Sequence, residues 1–263
     1  TWLRVPDSVG IFLQGSLQAG VEWKDLALSY VSLLGMDGAT YAALEFTGDA
    51  VLSVPMEGRL TLCNMAVEAG AKTGLFYADK ETARYLARYH VPVEIQVPDN
   101  PAYFRECDID LDALEPVCAV PHRVDTIQPV SQLHGTSIDQ VFIGTCTNGR
   151  YEDLKHAADI LKGKKVAVRT IVVPASVSDY LKAVTNGVAA DLINAGCVIG
   201  PPGCGPCLGA HMGVLGEGEV GLSTANRNFK NRMGVGASYY LCSPSTAAAS
   251  ALTGEISDPR EVV

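Results

Sequence analysis

Short, nearly unbroken apolar runs alternate in this chain with stretches whose apolar residues recur every three or four positions. The runs at 8–15 (SVGIFLQG), 41–48 (YAALEFTG) and 73–79 (TGLFYAD) predict strands. Residues 24–35 (KDLALSYVSLLG) and 56–70 (MEGRLTLCNMAVEAG) predict buried helices closed by Gly35 and Gly70, and 80–90 (KETARYLARYH) predicts a helix capped by Asp79. Strand and helix alternating at this spacing predict parallel βαβ units. Residues 114–130 (LEPVCAVPHRVDTIQPV) break the pattern with Pro116, Pro121 and Pro129 and read as an extended, semi-rigid linker. A second series follows, with strands at 140–144, 165–174 and 197–200 and helices at 151–163, 176–187 and 188–196. A late helix at 243–254 has Ser243 as its cap and Pro244 in its first position. The expected fold is α/β with mainly parallel sheets, in two domains, 1–115 and 139–263, joined by a linker over 116–138.

Composition narrows the function classes. At 263 residues and 48% hydrophobic, the chain can bury a real core, and 19% charged residues argue against disorder. The net charge of −9 resides in residues 1–138, and there is no basic run or aromatic-basic stripe, so nucleic-acid binding is not expected. No apolar run reaches the roughly 18 residues of a membrane span, and no charged leader precedes an apolar stretch. A cytoplasmic protein with reduced thiols is the expectation, since eight cysteines fall short of a disulfide framework. The chain opens with Thr1 rather than Met, which suggests a piece of a longer product.

The cysteines carry the candidate chemistry. Cys204 and Cys207 lie in PGCGPCLG, a spacing shared by dithiol redox proteins, metal sites and pairs of buried thiols. Cys146 lies in VFIGTCTNGRYEDL, just past a strand and in a turn that opens a helix, where backbone N–H groups favour a thiolate. Loops at the carboxyl ends of parallel strands can converge on one crevice. Three thiolates are one short of a closed structural site, and a metal site with an open position is a catalytic design. Downstream, Arg227 and Arg232 bracket Phe229 in an Asn- and Gly-rich stretch. They read either as surface arginines or, beside a thiolate site, as ligands for a substrate with two or more carboxylates.

In this order, GTCTNGR, PGCGPCLG and NRNFKNRMG resemble the aconitase superfamily of iron–sulfur hydro-lyases, within it the large subunits of 3-isopropylmalate dehydratase and homoaconitase. LEFTGDAV and MEGRLTLCNMAVEAGAKTG extend the resemblance over the whole chain. It implies aconitase-like three-layer α/β/α domains and one 4Fe–4S cluster held by Cys146, Cys204 and Cys207, with one iron left open to substrate. It further implies Asn226 as a hydrogen-bond partner of the cluster and Arg227 and Arg232 as substrate-carboxylate ligands. Glu45 is implied as an acid that pairs with an active-site His. The implied reaction dehydrates and rehydrates a small di- or tricarboxylate through an alkene, with 3-isopropylmalate in leucine biosynthesis the first expectation and homoaconitase or another aconitase-like hydratase the alternative. Family large subunits begin with a domain carrying Asp-Ser-His, which does not occur here, and the catalytic base belongs to a separate small subunit. The chain is therefore expected to hold only part of an active site. Two readings from other classes are a binding module, as in a cluster-free relative that binds RNA, and a dithiol oxidoreductase.

Cys63, Cys107, Cys118, Cys197 and Cys242 read as small buried hydrophobes. The five histidines show no ligand spacing, although His211 could approach the crevice. DIDLDAL at 108–114 lacks the Gly and closing Glu of a calcium loop and reads as a solvated acidic face.

Overall fold

The structure, a computed structural model, describes residues 2–95 and 101–262. The chain start at Thr1 lies outside the described residues. The first half builds a parallel four-stranded sheet from β1 (Ser8–Gln14), β2 (Ala43–Thr47), β3 (Thr73–Leu75) and β4 (Arg105–Asp110), in the order β3-β2-β1-β4. Helices α1 (Trp23–Leu34) and α2 (Met56–Met65) pack on its inner face, and α3 (Lys80–Ala87) follows β3. Tyr30 of α1 meets the ring of Phe46 in β2 and donates its hydroxyl to Leu62 O in α2 at 2.7 Å, which locks both helices to the sheet. β4 covers part of the stretch read as a solvated acidic face. Its exposed residues do alternate, but Cys107 and Ile109 point into the core between them, and β1 pairs with the strand through six register positions.

The larger sheet has seven strands in the order β6-β5-β11-β10-β7-β8-β9. These are β5 (Val117–Ala119), β6 (Ile127–Pro129), β7 (Gln140–Gly144), β8 (Arg169–Val173), β9 (Val198–Ile199), β10 (Val220–Ser223) and β11 (Ser238–Leu241). From β11 to β9 the strands are parallel; β5 and β6 add on antiparallel. The Pro-rich stretch is thus extended, yet it is also built into this sheet, with Val117, Cys118 and Ala119 buried and α4 (Val130–Leu133) closing it. Strand alternation divides the side chains between two cores. Val141, Ile143 and Val172 face α6 (Tyr151–Leu161), α8 (Val188–Ala195) and α9 (Pro244–Thr253); Phe142, Ile171, Val173, Tyr239 and Leu241 face a core shared with α1, α2 and the first sheet. α7 (Val177–Thr185) is capped by Ser176 and α9 by Ser243, each accepting a backbone N–H. Cys107, Cys118, Cys197 and Cys242 are buried and Cys63 is half-buried. No helix among the described residues is long and apolar enough to cross a membrane.

Topology sets the place of the site. The chain runs β7, β8, β9 outward in one direction, then returns to place β10 on the other side of β7. At such a reversal the connections leave β7 and β10 toward opposite faces and open a crevice beyond their carboxyl ends.

Candidate active site at the carboxyl edge of the larger sheet

Three loops leave that edge, each after a parallel strand: one after β7 with Cys146, one after β9 with Cys204 and Cys207, and one after β10 with Asn226, Arg227 and Arg232. The first is tightly specified. Gly144 ends β7 with φ 142°, and a Cβ there would lie 2.0 Å from Val173 O in the neighbouring strand. Thr145 follows at φ 72°, a left-handed conformation uncommon for a β-branched residue and typical of functional sites. The chain then makes α5 (Thr145–Asn148), one turn carrying Cys146, before α6 begins at Tyr151. Cys146 therefore sits in a separate turn and not at the start of the long helix, as the sequence suggested. Its thiol is exposed and receives an N–H from Asn64 of α2 at 3.5 Å.

Cys204 caps a 3-10 turn, Gly205–Leu208, and Cys207 lies within it. Cys204 is exposed and Cys207 buried, and all eight cysteines are free. A dithiol redox pair opens a long helix whose dipole stabilises the attacking thiolate; a single 3-10 turn provides no such field. Burial pushes the Cys207 thiol up, Arg232 pulls it down, and charge on Cys146 and Cys204 pushes it up further, so the three thiols share one electrostatic neighbourhood. Among the described residues no group of three or more His, Cys, Asp or Glu side chains is placed to hold a metal ion.

The surroundings suit an anionic, sulfur-rich group. Arg232 approaches Cys207 Sγ through its terminal nitrogen at 4.0 Å, while its Nε is buried without a hydrogen-bond partner among the described residues. The Cys207 thiol is 3.8 Å from Asn226 Oδ1. Asn226 Nδ2 donates to Glu68 Oε1 at 2.7 Å, and Arg227 Nε donates to both oxygens of the same carboxylate at 2.8 and 3.0 Å. The Glu68 side chain is only 3% exposed. Burial raises its pKa, and Arg227 opposes that rise. The terminal nitrogens of Arg227 have no partner among the described residues, and its side chain is 33% exposed. A cavity of about 530 Å³ reaches Cys146 and is lined by Arg84, Tyr85 and Arg88 from α3 together with Arg150 and Lys182.

The sequence-predicted residues thus fall into two groups. The structure brings Cys146, Cys204, Cys207, Asn226, Arg227 and Arg232 to one edge. Glu45 lies apart, in β2 on the outer face of the first sheet, where its carboxylate accepts from Ser8 and Tyr77 and from no histidine among the described residues. His211 forms no hydrogen bond among the described residues but carries φ 74° in the stretch after Cys207. Sequence reasoning missed Asn64 and Glu68, although both lie in the quoted stretch CNMAVEAG. The available signal was an amide and a carboxylate inside an otherwise apolar helical run.

Comparisons with known proteins show the family. A profile of the aconitase family (aconitate hydratase) matches residues 1–135 and 127–254. A chain of Methanosarcina mazei described as a probable methanogen homoaconitase large subunit is 54% identical over 263 residues, 99% of this chain and 67% of its own length. The 3-isopropylmalate dehydratase large subunit 2 of Archaeoglobus fulgidus is 50% identical over 266 residues, 99% of this chain and 64% of its own. Large subunit 1 of Thermotoga maritima, of the same description, is 48% identical over 270 residues. A solved structure, holo-form aconitase X of Thermococcus kodakaraensis, overlaps 84% of this chain at 14% identity and TM-score 0.45. The chain spans about two thirds of the length of the curated relatives it matches. On the family profile and on identities near one half along its whole length, the chain belongs to the aconitase family.

Proposed function

We propose that this chain is the larger part of the large subunit of an iron–sulfur hydro-lyase. Its reaction is the dehydration and rehydration of 3-isopropylmalate, completed by a separate small subunit in the cytoplasm. The reading rests on one observation: three thiols, two of them exposed, converge with two guanidiniums at a single sheet edge. Cys146, Cys204 and Cys207 would hold a 4Fe–4S cluster, and the unpartnered Arg232 Nε and the Asn64 amide beside the sulfurs fit its negative charge. When bound, the group supplies a Lewis-acid iron that eases loss of hydroxide from the substrate.

The chain's own residues handle charge and orientation. Arg227 is anchored through Nε by Glu68, which leaves the far edge of its guanidinium for a substrate carboxylate. Arg232 places positive charge where thiolates and a dianion would otherwise repel. Asn226 spans Glu68 and Cys207 and so fixes the carboxylate-binding side relative to the sulfur side. Glu45, on the outer face of the first sheet with Ser8 and Tyr77, would pair with a histidine supplied from outside this chain.

Anaerobic reconstitution of the chain is expected to give about four irons and a broad visible charge-transfer absorption. Cys146→Ser should abolish both, because a hydroxyl substitutes poorly for a soft thiolate, while Cys63→Ser should keep them. Full iron in Cys146→Ser would overturn the assignment. The 54% identity to the Methanosarcina chain favours a homologated tricarboxylate as second substrate, to be assayed beside 3-isopropylmalate in the completed enzyme.

A further inference from the structure

Lys24 lies in the first turn of α1 and is fully buried, a rare state for lysine unless its charge is met. Its Nζ donates to Asn148 Oδ1 at 3.2 Å, Thr224 O at 2.7 Å and Ala225 O at 2.8 Å. An ammonium has three N–H groups and no acceptor, so its capacity is filled. The partners belong to two different site loops. Asn148 closes the turn that carries Cys146, and Thr224 and Ala225 directly precede Asn226 and Arg227. Both carbonyls lie beyond the end of β10, where the sheet no longer offers them a donor. Asn148 is itself oriented from its other end, donating through Nδ2 to Asp153 Oδ1 at 3.0 Å.

We propose that Lys24 is a positioning residue that holds the Cys146 loop and the Asn226–Arg227 loop in fixed register. It touches neither the thiols nor the carboxylate-binding groups. The inference rests on the reading above, in which these two loops face one bound group. Without the ammonium, two carbonyls and one amide oxygen have no donor in a dry interior, and the loops separate or take in water. Water has a route, because a cavity of about 210 Å³ lined by Glu22, Trp23, Asn148, Asp153 and His156 reaches Lys24 itself.

The test is hydrogen–deuterium exchange on the metal-free chain, so it depends on neither cluster nor turnover. Lys24→Ala is expected to speed exchange in 141–154 and in 220–232 together, by about 10-fold or more, the lower end for losing hydrogen bonds from a charged group. Residues 177–195, in α7 and α8, should be unchanged. Propylammonium, which carries the missing charge through the cavity, should restore protection to both segments, whereas propanol should not. Uniform loosening that includes 177–195, loosening of one segment alone, no change, or failure of the amine to restore protection each overturns the proposal. If Lys24→Ala is insoluble, Asn148→Ala is measured instead. It cuts the Lys24 link to the Cys146 turn, together with the bonds of Asn148 to Asp153 and Thr61, and leaves the Lys24 bonds to Thr224 and Ala225 in place. Residues 141–154 should therefore loosen while 220–232 stays protected, and any other pattern overturns the proposal. Should the wild-type chain take up no iron, the proposed function falls while the exchange result stands.

Discussion

Glu68 shows how one buried carboxylate can govern a site it does not enter. It accepts from Asn226 and Arg227 while nearly sealed from water, so the pose of both donors depends on it. Glu68→Gln keeps the volume but removes the charge and turns one oxygen into an amide that faces existing donors. Arg227, one third exposed, can then hydrate and swing away. In the completed enzyme kcat/KM is expected to fall by about 10-fold or more, since small misplacements of a binding group cost that much. Iron content should be unchanged, and an unchanged kcat/KM would show that Arg227 is held by something else. Arg232→Lys is expected to cost about 10-fold in kcat/KM by replacing a planar fork with a point charge. Arg260→Lys, at a half-exposed guanidinium paired with Asp258, is the control and should be tolerated. The thiols and both arginines could be singled out in the sequence because the motifs that carry them resemble those of a known family. Glu68 and Lys24 could not, because each acquires its role only from partners 124 to 201 residues away.

Helix α3 depends on a comparable contact. Asp79 caps it by accepting the Thr82 N–H at 3.0 Å and also grips Arg59 of α2 with both oxygens, at 2.8 and 2.7 Å. The Arg59 side chain is 3% exposed, so loss of its partner strands a buried charge. Asp79→Ala should therefore cost about 3 kcal/mol in urea denaturation, the lower bound for breaking a buried pair, and should displace the Arg84–Arg88 wall of the cavity at Cys146. The Arg59 hydrogen bonds hold the Asp79 pKa down at about 2, against 3.8 for an unconstrained Asp. Its stabilisation is thus complete above about pH 4 and is lost as pH falls through 2; Asp79→Asn should remove that acid dependence. The Asp79 cap could be read from sequence because a capping residue precedes its own helix. β4 could not, since RECDID presents acids on one face and hides its inward residues as a Cys and an Ile. β10 and β11 were missed for another reason: four-residue strands set among glycines lack a long enough apolar run.

The molecule as a whole presents two separate polar surfaces. Its thiols and guanidiniums gather at the edge of the larger sheet, while the first sheet leaves an outer face with Ser8, Glu45, Tyr77 and Tyr103. The chain alone is expected to take up iron yet show no isomerase activity. Turnover should require both the remaining third of the subunit and the small subunit, and turnover by the chain alone would refute that division. The strand order has a further consequence for biosynthesis. Only one strand, β6, separates β5 from β7 in the chain, yet in the sheet they lie three strand positions apart, and the gap between them is filled by β10 and β11. A ribosome that has released the chain through the 3-10 turn at Gly205–Leu208 has already exported all three thiols, on a sheet whose inner edge at β7 is still unpaired. Until residues 220–241 emerge, β7 and the β5–β6 hairpin each offer an open edge to any passing strand. Synthesis that stalls in that interval would yield a chain with every sulfur ligand in place and a strong tendency to aggregate.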